Sequence, residues 1–442
     1  MLELLFTTDA MRAIFADRAR VQCMLDFEAA LARAGAKVGV VPGAAAEAIA
    51  ECCKAADFDC AELATAARTA GNLATPLVAA LTERVGRTAA PARGFVHWGA
   101  TSQDVIDTGL MLQLRVALRL IESDLARLAD MLAAKADAYR ATPLPGRTWM
   151  QQALPVTLGL KLAMSLSAID RHRARIAALR PRVAVLQFGG AAGTLASLGT
   201  HALAVEKALA AELELAIADV PWHTQRDIVC EVATTLGLLA ATLGKLGRDI
   251  ALLAQTEVGE AFEPAAPSRG GSSTLPHKRN PVGAAIAIAA ATRIPGLVAT
   301  MLAAAVQEHE RGLGNWPAEW DTLPQIVMLT AGSLDAMAYV VAALDVDVAR
   351  MRANLDVSHG QIFAEAVQMA LAPVLGRDVA HELVAAASRK ALQQRRHLRD
   401  VLGDEARVRT VFDAAALTKL FDPQSYLGAS DAFVGRVLAR HA

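Results

Sequence analysis

Aromatic side chains are scarce, 4% of a 442-residue chain in which 54% of residues are hydrophobic. A core with so few rings is filled by Ala, Leu and Val, which suits closely approaching helices and argues against an aromatic-rich β-sandwich. Neither sign of charge dominates: 44 Lys and Arg face 45 Asp and Glu, for a net of -1. With no basic field to hold a phosphate backbone, a general nucleic-acid binder is excluded. Cysteine is also rare. The five present (Cys23, Cys52, Cys53, Cys60, Cys230) form no CxxC and no Cys/His spacing of zinc type, so reduced thiols and no metal site are expected. Long apolar runs are missing too. Mean hydropathy is positive, +0.32, but Arg293 and Pro295 interrupt 282–307, and Lys245, Arg248 and Asp249 interrupt 235–254. Neither offers the ~18 uninterrupted apolar residues a membrane span takes. The start, MLELLFTTDAMRAIF, carries Glu3 and Asp9 and no basic region ahead of an apolar core, unlike a secretory leader. A cytoplasmic protein without membrane or nucleic-acid partners is the expectation.

What is abundant is helical spacing. Leu114, Leu118, Ile121, Leu125, Leu128 and Leu132 step by fours and threes, as do Leu236, Leu239, Leu243, Leu246, Ile250 and Leu253. A third seam, Leu158, Leu162, Ile169, Ile176 and Leu179, has Ser165 and His172 at two of its positions. Such 3.5-residue spacing predicts long helices packed along narrow seams. Segments 282–305 and 324–350 are apolar nearly all round, which predicts burial in a core larger than one chain. The fold class is therefore mainly α, three helical domains with a central long-helix bundle that assembles into a multi-subunit core. Breaks at 94–104, 142–149, 187–199 and 263–281, and a rise in charge after Ser358–Gly360, place domains at 1–108, 109–357 and 358–442. Length alone points to about three domains.

Five of the segments at these breaks and helix ends carry chemistry. In 263–281, EPAAPSRGGSSTLPHKRNP, paired Gly270 and Gly271 precede paired Ser272 and Ser273, followed by His277, Lys278 and Asn280. A glycine turn presents several N–H groups to one anion, and nearby Lys and Asn extend that cradle, favouring an ionised serine. The GxxxxGK[ST] spacing of a P-loop is absent. His97–Asp104 offers Thr101 and Ser102 at the start of a long helix near Asp107, as caps or as carboxylate ligands. Arg147–Gln152 contains Trp149 and Gln151; Trp222–Asp227 contains His223, Gln225 and Arg226. Glu308–Arg311, then Asn315–Trp320, reads most simply as a solvated face. Ends of long antiparallel helices meet at the ends of a bundle, which would gather these groups.

GSSTLPHKRNP (271–281) resembles the signature loop of the fumarase/aspartase superfamily, GSSxMPxKxNP, with Leu275 in the methionine position. HWGATSQDVIDT (97–108) and QQALPVT (151–157) resemble its other conserved segments. GQIFAEA (360–366) and LFDPQSYLG (420–428) resemble the C-terminal domain of the adenylosuccinate lyase branch. Two departures narrow the branch. Lyases carry Thr-His-x-Gln where this chain has Thr148-Trp149-Met150-Gln151, and a Ser/Glu/Arg phosphate segment where it has Asn315-Trp316-Pro317-Ala318-Glu319-Trp320. With AGNLATPLVAAL (70–81) and WHTQRD, these are similar to the bacterial 3-carboxy-cis,cis-muconate cycloisomerases, which form 4-carboxymuconolactone in protocatechuate degradation by the β-ketoadipate pathway.

The resemblance implies a homotetramer whose central bundles form one core and whose active sites combine segments of three subunits. It implies a small tricarboxylate substrate and no cofactor. Ser272 is then the proton-transfer residue, and Lys278 and Asn280 hold the activating carboxylate. Substrate-binding roles fall to His97, Thr101, Ser102, Gln151, Gln225, Arg226 and Ser273, with His223 and His277 as possible proton donors. A lyase acting on adenylosuccinate or another succinyl adduct is the alternative. An inactive helical scaffold is a remoter one, since Ser272, Lys278 and Asn280 are all retained.

Overall fold

The computed structural model describes residues 2–265, 269–271 and 274–441. Its long helices are α2 (Ser102–Ala138), α3 (Leu158–Val183), α5 (Asp227–Leu253), α6 (Val282–Ala304) and α7 (Asn315–Ala342). Shorter helices include α1 (Asp17–Val38), α4 (Ala202–Leu213), α8 (Ala364–Leu375) and α9 (Arg377–Gln394). Strands are few: β1 (Pro143–Thr148) pairs antiparallel with β2 (Gln151–Thr157), and the two-residue β3 (Ala261–Phe262) with β4 (Asp345–Val346). The fold is mainly α, as expected. Every leucine and isoleucine of the three seams is buried, those of α2 completely, so the 3.5-residue spacing marks the faces that pack.

The described chain divides into two compact units. One comprises Met1–Ala126, His172–Gly244 and Ile286–Ala336; the other comprises Arg127–Arg171, Lys245–Ala285 and Met337–Ala442. In the first, an apolar cluster joins Val21–Leu112 to Leu186–Leu215, so α1 and α4 share a core. In the second, a separate cluster runs from Leu355 to Phe421 through α8 and α9. The division at 1–108, 109–357 and 358–442 remains our proposal for the domains.

Three local expectations change. The first long helix starts at Ser102, not near Asp107. The Asp104 carboxylate accepts the Thr101 N–H at 3.0 Å, which closes the turn one step earlier, as the acidic member of a capping box does. The break at 142–149 is a strand leading into a hairpin. Its prolines are tolerated because a two-stranded ribbon leaves each strand an edge. The two tip residues, Trp149 (φ 51) and Met150 (φ 65), take the left-handed region that a two-residue type I′ turn requires. Finally, α5, α6 and α7 are long and apolar enough to cross a membrane by length and composition. The demand for an uninterrupted run excludes 235–254 and 282–307, although isolated charges such as Arg293 leave the average apolar. Only 28% of the most apolar stretch of α6 is buried within the chain, against 72% for α7.

Candidate active site

In the first unit, polar groups gather where the start of α2 meets the 187–195 turn, the approach to α5 and the 307–316 segment. Asp104 is fully buried. Its carboxylate accepts hydrogen bonds from Thr101 N, Gly189 N, Gly190 N and Gln187 Nε2, all at 2.9–3.1 Å. Burial nonetheless outweighs these donors and pushes its pKa up to about 6. By these bonds Asp104 ties the helix start to the glycine turn. Two of the turn's glycines are required by geometry. A Cβ on Gly190 (φ +66) would lie 3.1 Å from Gly99 O, and one on Gly193 (φ +84) would lie 2.5 Å from His223 Cε1.

His223 is 8% exposed, and its Nδ1 is buried with no hydrogen-bond partner among the described residues. Burial, and then the nearby Arg311, lower its pKa and disfavour the charged ring. Arg311 reaches into the same place. Its Nε donates to Gln103 Oε1 at 3.0 Å, and its Nη2 to Thr101 Oγ1 at 3.3 Å and Ala191 O at 3.4 Å. Gln103 also donates to His223 O at 2.7 Å. Thr101, His223 and Arg311 thus share one neighbourhood. On its other side His97 Nδ1 meets Glu28 Oε1 of α1 at 2.6 Å.

Arg226, expected to bind a substrate carboxylate, is engaged with carboxylates of the protein. It is 2% exposed, and it spans two buried carboxylates. Asp107 accepts from Nη1 at 2.7 Å and from Nη2 at 3.1 Å; Glu319 accepts from Nη2 at 2.6 Å and from Nε at 3.0 Å. Trp316 Nε1 and Gln103 Nε2 also donate to Asp107, and Gln307 Nε2 to Glu319, each at 3.1 Å. The guanidinium therefore binds protein carboxylates and pins the α5 approach to α2 and α7. Ser102 is half-buried and Gln225 exposed near these groups in sequence.

In the second unit, Gln151 is exposed beside the hairpin tip, where Trp149 is 97% exposed. The signature loop is held at its base. Asn280 N donates to Gly270 O at 2.8 Å, and Gly271 bridges to Arg279. Arg279 bonds Asp345 and Glu263 O. The Glu263 carboxylate accepts the N–H groups of Gly283 and Ala284 and so caps α6. His277 and Lys278 are exposed on the loop and Asn280 is half-buried. Ser272 and Ser273 lie outside the described residues. Among the described residues no three His, Cys, Asp or Glu side chains gather where a metal would bind.

A family model described as Lyase matches residues 3–296. The chain belongs to that lyase family. A second model, adenylosuccinate lyase C-terminus, matches residues 360–437. A 3-carboxy-cis,cis-muconate cycloisomerase of Pseudomonas aeruginosa is 57% identical, covering 99% of this chain and 95% of that protein. One of Pseudomonas putida is 55% identical, covering 93% and 98%. The crystal structure of the 3-carboxy-cis,cis-muconate lactonizing enzyme from Pseudomonas putida superposes with a TM-score of 0.96 at 53% identity, covering 100% of this chain and 98% of the other. The fold is thus that of the superfamily indicated by the 271–281 loop.

Sequence reasoning missed Glu28, Asp104 and Arg311. No motif marks Glu28, and Arg311 stands in a run, EHER, whose bland reading is a solvated face. Its only signal is position, at a helix end beside the other breaks.

Proposed function

We propose that this lyase-family enzyme converts 3-carboxy-cis,cis-muconate to 4-carboxymuconolactone. One terminal carboxylate of the substrate adds to the carbon bearing the third carboxylate. The new C–O bond drives the alkene electrons onto the neighbouring carbon, giving an enediolate that takes up one proton, so the reaction is an isomerisation. Its barrier is concentrated negative charge, which fixed donors and cations lower. Ser272 transfers the proton, and Lys278 and Asn280 hold the carboxylate next to the carbanion. Thr101, Ser102, Gln151, Gln225, Ser273 and His97 contact the others, and His223 and His277 are further proton donors to test. Arg311 joins this set, because it already bonds Thr101.

The reading rests most on full-length similarity to chains of that name. It is supported by Trp149 standing where lyases of the superfamily carry histidine: the nucleophile is part of the substrate, so no acid is needed for a leaving amine. We propose further that the enzyme is a cytoplasmic homotetramer with active sites shared between subunits. A tip that combines a nearly fully exposed tryptophan with two strained left-handed residues, together with the largely uncovered apolar face of α6, is the surface such an assembly would cover. The functional test is a paired assay. Loss of the diene absorbance of 3-carboxy-cis,cis-muconate without release of AMP from adenylosuccinate is the expected result; AMP release alone would favour the lyase alternative.

A further inference from the structure

The pairing of His97 with Glu28 is unusual in three ways. Glu28 sits on α1 at 1% exposure, so a carboxylate has been buried inside an otherwise apolar helix face. One of its oxygens, Oε1, meets His97 Nδ1 at 2.6 Å, while the other, Oε2, is buried without a hydrogen-bond partner among the described residues. A carboxylate in that position is costly unless a charge compensates it. His97 itself takes a left-handed backbone, φ 59, which a non-glycine residue adopts only where the surroundings enforce it. The ring meets Glu28, and its side chain keeps 18% exposure.

The groups around the pair leave histidine as the natural counter-charge. Asp104, from the start of α2, adds a second negative influence on His97. Burial opposes the charged ring, but Glu28 and then Asp104 overcome it, and the His97 pKa is raised. Beside Glu28, burial and the glutamate itself push the Cys53 thiol up, so it stays neutral and supplies no charge.

We propose that Glu28 is a positioning residue that holds His97 by Nδ1 and favours its imidazolium form, so that Nε2 offers a directed N–H to one carboxylate of the substrate. This rests on the proposed polycarboxylate site. It explains why the ring carries a buried glutamate behind it. A histidine with a fixed second nitrogen presents one directed donor, whereas a lysine presents a mobile point charge.

The test uses the intact enzyme and reads His97 without substrate. Diethyl pyrocarbonate acylates only neutral imidazole, so the rate at His97, mapped by peptide mass, reports its charge. In the native enzyme the rate should rise through a midpoint above the 6.5 of a free imidazole, and propane-1,2,3-tricarboxylate should protect the residue. Glu28→Gln keeps a hydrogen-bonding group but removes the charge. It should raise the rate at pH 7 and move the midpoint of the rate profile to lower pH. It should also raise KM more than it lowers kcat and move the alkaline limb of kcat/KM to lower pH. An unchanged rate in Glu28→Gln, or a native midpoint at or below 6.5, overturns the proposal. A faster rate with unchanged KM and no protection by tricarboxylate overturns the anchoring role while leaving the cycloisomerase assignment standing. If Glu28→Gln does not fold, the native midpoint and protection decide alone.

Discussion

Replacing Arg226 by methionine separates a structural guanidinium from a substrate-binding one. Methionine roughly matches the side-chain length and carries no charge. The arginine is held by at least four charge-assisted hydrogen bonds to Asp107 and Glu319, and both partner side chains are 1% exposed. Removing the shared cation leaves two carboxylates facing each other without water. Breaking one buried pair in this way costs about 3–5 kcal/mol, and stranding two like charges puts the loss at the upper end of that range. Burial already raises the Glu319 pKa, with Arg226 opposing the shift, so removing Arg226 raises it further. A carboxylate whose folded pKa lies above its unfolded value favours the folded state as it gains its proton. The destabilisation should therefore be largest at neutral pH and shrink on acidification. The assay is denaturant unfolding of native and variant enzyme at pH 5 and pH 7, with activity measured alongside. A variant that unfolds like the native enzyme at both pH values, but has lost its affinity for substrate, would refute the reasoning and return Arg226 to the carboxylate-binding set.

Ser272→Ala should abolish turnover while leaving oligomer size and unfolding nearly unchanged, as checked by light scattering and thermal melts. Near-normal turnover would displace Ser272 as the proton-transfer residue. Asp104, with a pKa raised from 3.8 to about 6, gives stability that is greatest below pH 3.8 and declines as pH rises through about 6. Asp104→Asn should remove that slope from the stability profile between those values. It should also cost stability, because two of the four donors lose their acceptor. Trp149→Ser should leave the fold of the chain intact, since the side chain is 97% exposed. It should lower activity and weaken association on dilution, followed by sedimentation.

The long helices were legible because their information is periodic. Each seam residue of α2, from Leu114 to Leu132, is one that a fixed spacing picks out, and burial follows from the repeat. Helix starts were less so. Ser102 begins α2 only because Asp104 folds back on Thr101, a contact between neighbours that a repeat of leucines does not encode. The hairpin was read as a break because its prolines and glycine, Pro143, Pro145 and Gly146, are turn residues by composition. Only pairing with β2 makes them a strand. In the candidate site, motif spacing singles out Thr101, His223 and Arg226, but not what each faces. The partners of Arg226, Asp107 and Glu319, lie 119 and 93 residues away along the chain. Glu28 was invisible for the same reason, 69 residues from His97.

The central claim is the ring closure itself. Incubating the enzyme with 3-carboxy-cis,cis-muconate in deuterium oxide and recording the proton spectrum of the product tests it directly. The account predicts a lactone carrying a single deuteron on the methylene next to the side-chain carboxylate, the carbon that the enediolate exposes to protonation. Unchanged diene, or a product without that lactone, would contradict it.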